Sequence, residues 1–236
     1  GRRRRRPAPA GPGGRDVSWK VALATAVALM AAVTVARVTE DAETGTATWD
    51  AARASGFAGY LLCWLSVMGG MLLHLRVRIG RAPLTWLLEG HRMVAALSLS
   101  FVAVHVAALL LDPVVHFGVI HVAVPFTSAY RPWQTGLGTL AMWLTVLVLA
   151  TTALAGGMPY RRWRAWHLAA YTAWGLALVH GLTAGTDAGA MEAIAVYAGT
   201  AAAAAALAAV RVAGRGWTAA GEPLRFAVDD LFGAGG

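Results

Sequence analysis

Charge is scarce in this chain. Only 14% of its 236 residues are Asp, Glu, Lys or Arg, against about 25% in soluble domains. With 58% hydrophobic residues and a mean hydropathy of +0.57, this excludes an ordinary water-soluble globule and points to a membrane protein. Cysteine is nearly missing: Cys63 stands alone in an apolar run. No disulfide can close within the chain, and no C-x-x-C pair is offered to zinc or an iron–sulfur cluster. The C-x-x-C-H attachment motif is absent, so any haem is non-covalent, of b type. No G-x-G-x-x-G loop occurs, and the tail from Gly214 to Gly236 is too short for a flavin or nicotinamide domain. The net charge of +8 does not indicate nucleic acid, because the basic residues segregate to one side of a membrane.

What is present is a set of apolar segments. A spanning helix needs about 20 mostly apolar residues, and six candidates occur, near 17–38, 56–77, 91–111, 136–157, 163–184 and 189–211. Lys and Arg are enriched on the cytoplasmic side of membrane proteins. With the N-terminus inside, seventeen basic residues fall inside, and only Arg37, Arg53 and Arg131 fall outside. Both termini are therefore expected in the cytoplasm. The abundant alanine suits a GC-rich bacterial genome and so a bacterial plasma membrane. The expected organisation is a disordered basic leader over 1–16, an all-α six-helix transmembrane haem domain over 17–212, and a short cytoplasmic tail over 213–236. The apolar stretch 112–135 contains Pro113, Pro125 and Pro132. It reads as a short re-entrant or amphipathic piece at the outer interface.

Four histidines lie at membrane depth: His91 and His105 on the third span, His167 and His180 on the fifth. Ionisable residues at that depth are expensive and are functional by default. Fourteen α-helical residues rise about 21 Å and make nearly four turns, so His91 and His105 share a face near opposite membrane surfaces. His167 and His180 are thirteen apart, which gives only about 3.6 turns. Local tightening, a bend near Gly175, or approach from different sides would reconcile the spacing. Both spans run from inside to outside, so His91 meets His167 and His105 meets His180. Each pair suits one bis-histidine b haem, with neutral imidazole as ligand. The bland alternative is four satisfied structural histidines. A single divalent ion cannot be shared, because the pairs are too far apart.

Arg92 at the inner haem level and Arg131 at the outer are candidates for the haem propionates. Arg161, Arg162 and Arg164 flank the inner position, where topology alone accounts for basic residues. His116 and His121 in the external loop are candidates for lining an acceptor site, and His74 reads as interfacial. Trp166, Tyr171 and Trp174 are candidates for packing on porphyrin.

The segments HRMVAALSLSFVAVH and WRAWHLAAYTAWGLALVHG, with their spacings of 14 and 13, resemble the ferric reductase-like transmembrane domain. That family includes ferric-chelate reductases, NADPH oxidases and the haem-binding subunit of the bacterial methionine sulfoxide reductase system. DPVVHFGVIHVAVPFTSAYRPW and HGLTAGTD look like its short bacterial members without a fused flavin domain. The resemblance covers about residues 56–212. It implies His91 with His167 on the inner haem and His105 with His180 on the outer haem. The implied activity is transmembrane electron transfer by an oxidoreductase component. Its donor is a separate flavoprotein carrying FAD or FMN, or a quinol. Its acceptor at the outer face is a ferric chelate or a periplasmic redox protein. The alternatives are a one-haem membrane anchor for a periplasmic reductase and a non-redox membrane protein.

Overall fold

The computed structural model describes residues 47–75, 83–113, 115 and 117–214, and these are helical with short connections. The helices are α1 (Ala47–His74), α2 (Leu84–Leu111), the five-residue α3 (Val119–Ala123), α4 (Pro132–Ala153), α5 (Tyr160–His167), α6 (Ala169–Ala184) and α7 (Met191–Gly214). A 3₁₀ turn, Ala155–Gly157, follows α4. Among the described residues four helices are long and apolar enough to cross a membrane: Ala47–His74, Leu84–Leu111, Pro132–Ala153 and Met191–Val212. They correspond to the second, third, fourth and sixth expected spans. The expected first span, the basic leader and nearly all of the expected tail lie outside the described residues.

Proline sets several boundaries. Pro83 precedes α2 in an extended conformation, Pro132 opens α4 at its first turn and Pro159 precedes α5. Each fits because a proline has no N–H to offer, and the first N–H groups of a helix have no internal acceptor. At the far end of α2, Asp112 leaves helical geometry with ψ 122°, as a residue before proline must when its α-region is crowded by the ring of Pro113. The helices begin earlier than the hydropathy suggests. α1 is already helical at Ala47 and α2 starts at Leu84, so His91 lies two turns inside its helix.

The expected fifth span is two helices. α5 and α6 meet at Leu168, whose φ −66° and ψ −19° are close to 3₁₀ values. Tyr171 N–H bonds the Leu168 carbonyl three residues back at 3.2 Å. The tightening therefore sits at Leu168, and the helix runs unbroken through Gly175. Ten α residues and three 3₁₀ residues rise about 21 Å in about 3.8 turns, nearly matching fourteen α residues. The 13-residue spacing is thereby brought into register with the 14-residue spacing on α2.

The bundle is built from two antiparallel hairpins, α1 with α2 and α4 with α5–α6, which make its most extensive helix contacts. α7 packs against α1 and α6. Small residues allow close approach, which drives helix association where lipid is as apolar as the side chains. Ser98, fully buried, donates to the Gly59 carbonyl across the first hairpin at 2.9 Å. Tyr60 on α1 shares a hydrogen bond with Thr200 on α7, and Trp64 Nε1 donates to the Thr200 carbonyl at 3.0 Å. Val67, Met68, Met71 and Ala204 form a buried cluster beneath Trp64, Tyr171 and Trp174. Large apolar side chains such as Leu111, Trp143, Val179 and Val212 are exposed, as lipid-facing positions of a membrane bundle are.

Among the described residues between α2 and α4 lies the short helix α3, anchored to α4 by Thr139 Oγ1 to the His121 carbonyl and Trp143 Nε1 to the Val122 carbonyl, both 3.1 Å. Phe126 has a positive φ of 66° and lays its ring on Gly136, where an added Cβ would sit 2.2 Å from Phe126 Cδ1. Buried Asp112 accepts from Thr48 Oγ1 and from the Val115 N–H, both at 2.9 Å.

Candidate functional site

The fold brings the four histidines together in the expected pairs. The His91 and His167 rings lie with centroids 6.0 Å apart and planes at 71°. The His105 and His180 rings are 6.4 Å apart at 78°. α2 and α5–α6 are therefore parallel neighbours through their histidines. The separations have a chemical meaning. Two metal–nitrogen bonds of about 2.0 Å end to end, with the half-widths of two imidazole rings, give a centroid separation of roughly 6.3 Å. Edge-to-face ring pairs elsewhere in the bundle have similar separations, 6.1 Å for Trp49–Tyr130 and 5.9 Å for Phe57–Tyr197, so the distance is compatible with a metal between the rings and does not by itself require one.

Each ring is held from behind by the partner helix of its own hairpin. His105 Nδ1 lies 2.7 Å from the Ala52 carbonyl and His91 Nδ1 2.9 Å from the Ser66 carbonyl, both on α1. His180 Nδ1 lies 2.7 Å from the Gln134 carbonyl on α4. His167 Nδ1 lies 3.4 Å from Thr152 Oγ1, also on α4. A carbonyl oxygen only accepts, so in the first three rings Nδ1 carries the hydrogen and Nε2 the lone pair. Engagement of Nδ1 by a carbonyl fixes the tautomer and aim of a metal-binding imidazole and raises its basicity.

The acceptors obey a register that the sequence reading missed. Residue i supplies the carbonyl and residue i+4 leaves room for the ring: Ala52 with Gly56, Ser66 with Gly70, and Gln134 with Gly138. At the fourth ring Val148 and Thr152 hold the same positions, with Thr152 Oγ1 bonded to the Val148 carbonyl at 2.7 Å. A Cβ on Gly138 would stand 2.7 Å from His180 Cε1, and one on Gly56 2.8 Å from His105 Nδ1. Both are closer than atoms approach without displacement. On Gly70 it would meet His91 Cε1 at an ordinary 3.5 Å. The signal was available, because Gly56 and Gly70 are spaced by 14 residues, as are Gly138 and Thr152. This repeats the His91–His105 interval on the opposing helix.

The His105–His180 pair lines a partly open cavity of about 740 Å³ between α1, α2, α4, α6 and α7, within the size range of cofactor pockets, about 300–1,000 Å³. Its walls include Phe57, Tyr60, Val102, Met142 and Tyr197, and its rim carries Asp50, Arg53, Asp187 and Glu192. Arg53 pairs with Asp50 on α1 and with Asp187 in the α6–α7 connection. Its Nε is buried without a hydrogen-bond partner. Among the described residues no cluster of three or more His, Cys, Asp or Glu could hold a bare metal ion. Two nitrogen donors per site suit a metal whose other ligands arrive with it, as in a porphyrin.

The remaining candidates fall as follows. Arg131 has φ 43° and donates from Nη1 to the Thr183 and Ala184 carbonyls at 3.0 and 3.3 Å. It closes the C-terminal end of α6 and does not line the cavity; the cation that does is Arg53. Arg92 bonds Glu89 on its own helix at 3.2 Å. Arg161 and Arg162 are exposed, and Arg164 donates to Tyr160 Oη at 3.3 Å. His121 sits beside Phe117 and Thr127 in its own loop, while His116 lies outside the described residues. His74 occupies the last turn of α1. Trp166 is exposed, Tyr171 accepts from Arg211, and Trp174 covers the apolar cluster. An aromatic that stacks on one of the four paired histidines is Trp163, on His167 at 4.9 Å and 24°. No family model, curated protein or solved structure matches the chain.

Proposed function

We propose that the chain carries electrons across a membrane through two b haems, as a subunit of the ferric reductase-like kind. His91 with His167 would hold one haem and His105 with His180 the other. The observation that carries the reading is the pair of ring separations, 6.0 and 6.4 Å. Two unrelated histidine pairs keep the gap that a bis-imidazole metal requires, and every Nδ1 is turned to a protein acceptor. Edge-to-face packing also falls within about 4.5–7 Å; what supports the haem reading beside the separations is that the same arrangement of ring and Nδ1 acceptor recurs at two levels of the bundle.

Each haem, when bound, supplies a one-electron couple. The protein's part would be to supply two imidazole nitrogens to each metal, from His91 and His167 or from His105 and His180, which would favour electron transfer over ligand binding at the metal. The Ala52, Ser66 and Gln134 carbonyls keep the proton on Nδ1, and the cavity walls beside His105 and His180 are mostly apolar. In this reading the His91–His167 site faces the cytoplasm, consistent with the seventeen basic residues assigned there. It would take electrons from a separate flavoprotein or a quinol. The His105–His180 site would pass them to a ferric chelate or a redox protein outside. Arg53, at the rim of that cavity, is the cation placed for a propionate there.

Haem stoichiometry and visible spectra of the purified protein test this. Two haems per chain with low-spin bis-histidine bands are expected. His105→Ala and His180→Ala should each remove one redox transition, the same one, and His91→Ala and His167→Ala the other. Haem-free protein, or loss of a single shared transition by His91→Ala and His180→Ala, overturns the reading.

A further inference from the structure

Three of the four rings reach a backbone carbonyl over a glycine; His167 alone meets a side-chain hydroxyl. We propose that Thr152 is a positioning residue for His167, its hydroxyl standing in for the carbonyl and making this imidazole the least electron-releasing of the four. The inference rests on the haem reading above.

The direction of the hydrogen bonds follows from their partners. Thr152 Oγ1 lies 2.7 Å from the Val148 carbonyl, which has no hydrogen to give, so the hydroxyl donates there. Its lone pairs are then what His167 Nδ1 meets at 3.4 Å. Nδ1 therefore carries the proton, as in the other three rings, and Nε2 remains the ligand atom. The threonine side chain fills the space that glycine leaves open at the equivalent positions, so His167 cannot close on the Val148 carbonyl. Its bond is long where the His105 and His180 bonds are 2.7 Å. Trp163 stacks on the same ring and limits its rotation. An Nδ1–H bonded to an acceptor raises the basicity of the ligand nitrogen. A weaker bond raises it less, and so stabilises the oxidised metal less.

The test is a potentiometric titration of the full-length, haem-loaded protein and its variants. Thr152→Val keeps the shape and removes the acceptor. It should raise the midpoint potential of the transition assigned to His91–His167 and leave the other in place. Thr152→Ser should restore the wild-type value. Thr152→Gly recreates the register of the other three rings and should lower the potential as the ring reaches the Val148 carbonyl. If Thr152→Val leaves both transitions unmoved, or moves both alike, the inference is wrong although the haem reading stands. A wild-type protein that binds no haem removes both.

Discussion

The two histidine pairs use one construction with different tolerances. At His105–His180 both Nδ1 contacts are 2.7 Å backbone bonds, and both backing positions are glycines with no room for a methyl group. At His91–His167 the contacts are 2.9 and 3.4 Å, Gly70 has ordinary space, and the fourth position is a threonine. The first pair to be reached from the α1 N-terminus is thus a tight fit and the other a loose one. Position in the bundle explains part of this. The tight pair is framed by α1, α2, α4, α6 and α7 around its cavity, whereas His167 ends an eight-residue helix just before the break at Leu168.

Substitution of the glycines breaks the comparison most sharply. Gly138→Val and Gly56→Val each drive a branched side chain into an imidazole and should abolish the His105–His180 transition, halving the haem content measured by pyridine haemochrome. Gly70→Ala should leave the haem content intact, because its Cβ meets His91 at van der Waals distance. Equal losses from Gly70→Ala and Gly138→Val would show that glycine is needed for helix packing rather than for the rings.

A smaller effect is expected from Thr200→Val, which removes the Tyr60 hydroxyl's partner between α1 and α7. Side-chain hydrogen bonds between membrane helices are worth about 0.6–1.7 kcal/mol. The variant should unfold slightly earlier in a denaturant titration in detergent while both redox transitions survive. If Thr200→Val removes the His105–His180 transition, the α1–α7 contact holds that site in shape and does more than line its cavity.

The smallest effect belongs to Ser66→Ala. His91 Nδ1 lies 3.3 Å from Ser66 Oγ but 2.9 Å from the Ser66 carbonyl, and the substitution leaves the carbonyl in place. The potential of the His91–His167 transition should stay where it is. A rise comparable with that of Thr152→Val would mean that the hydroxyl, not the carbonyl, is the acceptor.

The sequence by itself determined the membrane class, four of the long apolar helices and the pairing of the histidines. Hydropathy and a 14-residue interval are local properties, readable from composition and the 3.6-residue turn. The helix starts at Pro83, Pro132 and Pro159 also follow a local rule, although hydropathy alone set those starts several residues too late. Only the tertiary structure decided the rest. The Leu168 tightening, which reconciles 13 residues with 14, has no proline or glycine to announce it; it follows from the demand that both rings on α5–α6 face α2. The roles of Gly56, Gly138 and Thr152 were hidden because a glycine or threonine in an apolar helix has many reasons to be there, and only the imidazole lying against it distinguishes them. That Arg53 lines the cavity was hidden for the same reason. Both Arg53 and Arg131 are outside cations by charge counting, and which of them reaches the cavity depends on how α1 and the α6–α7 connection close over it, a long-range contact that no local pattern encodes.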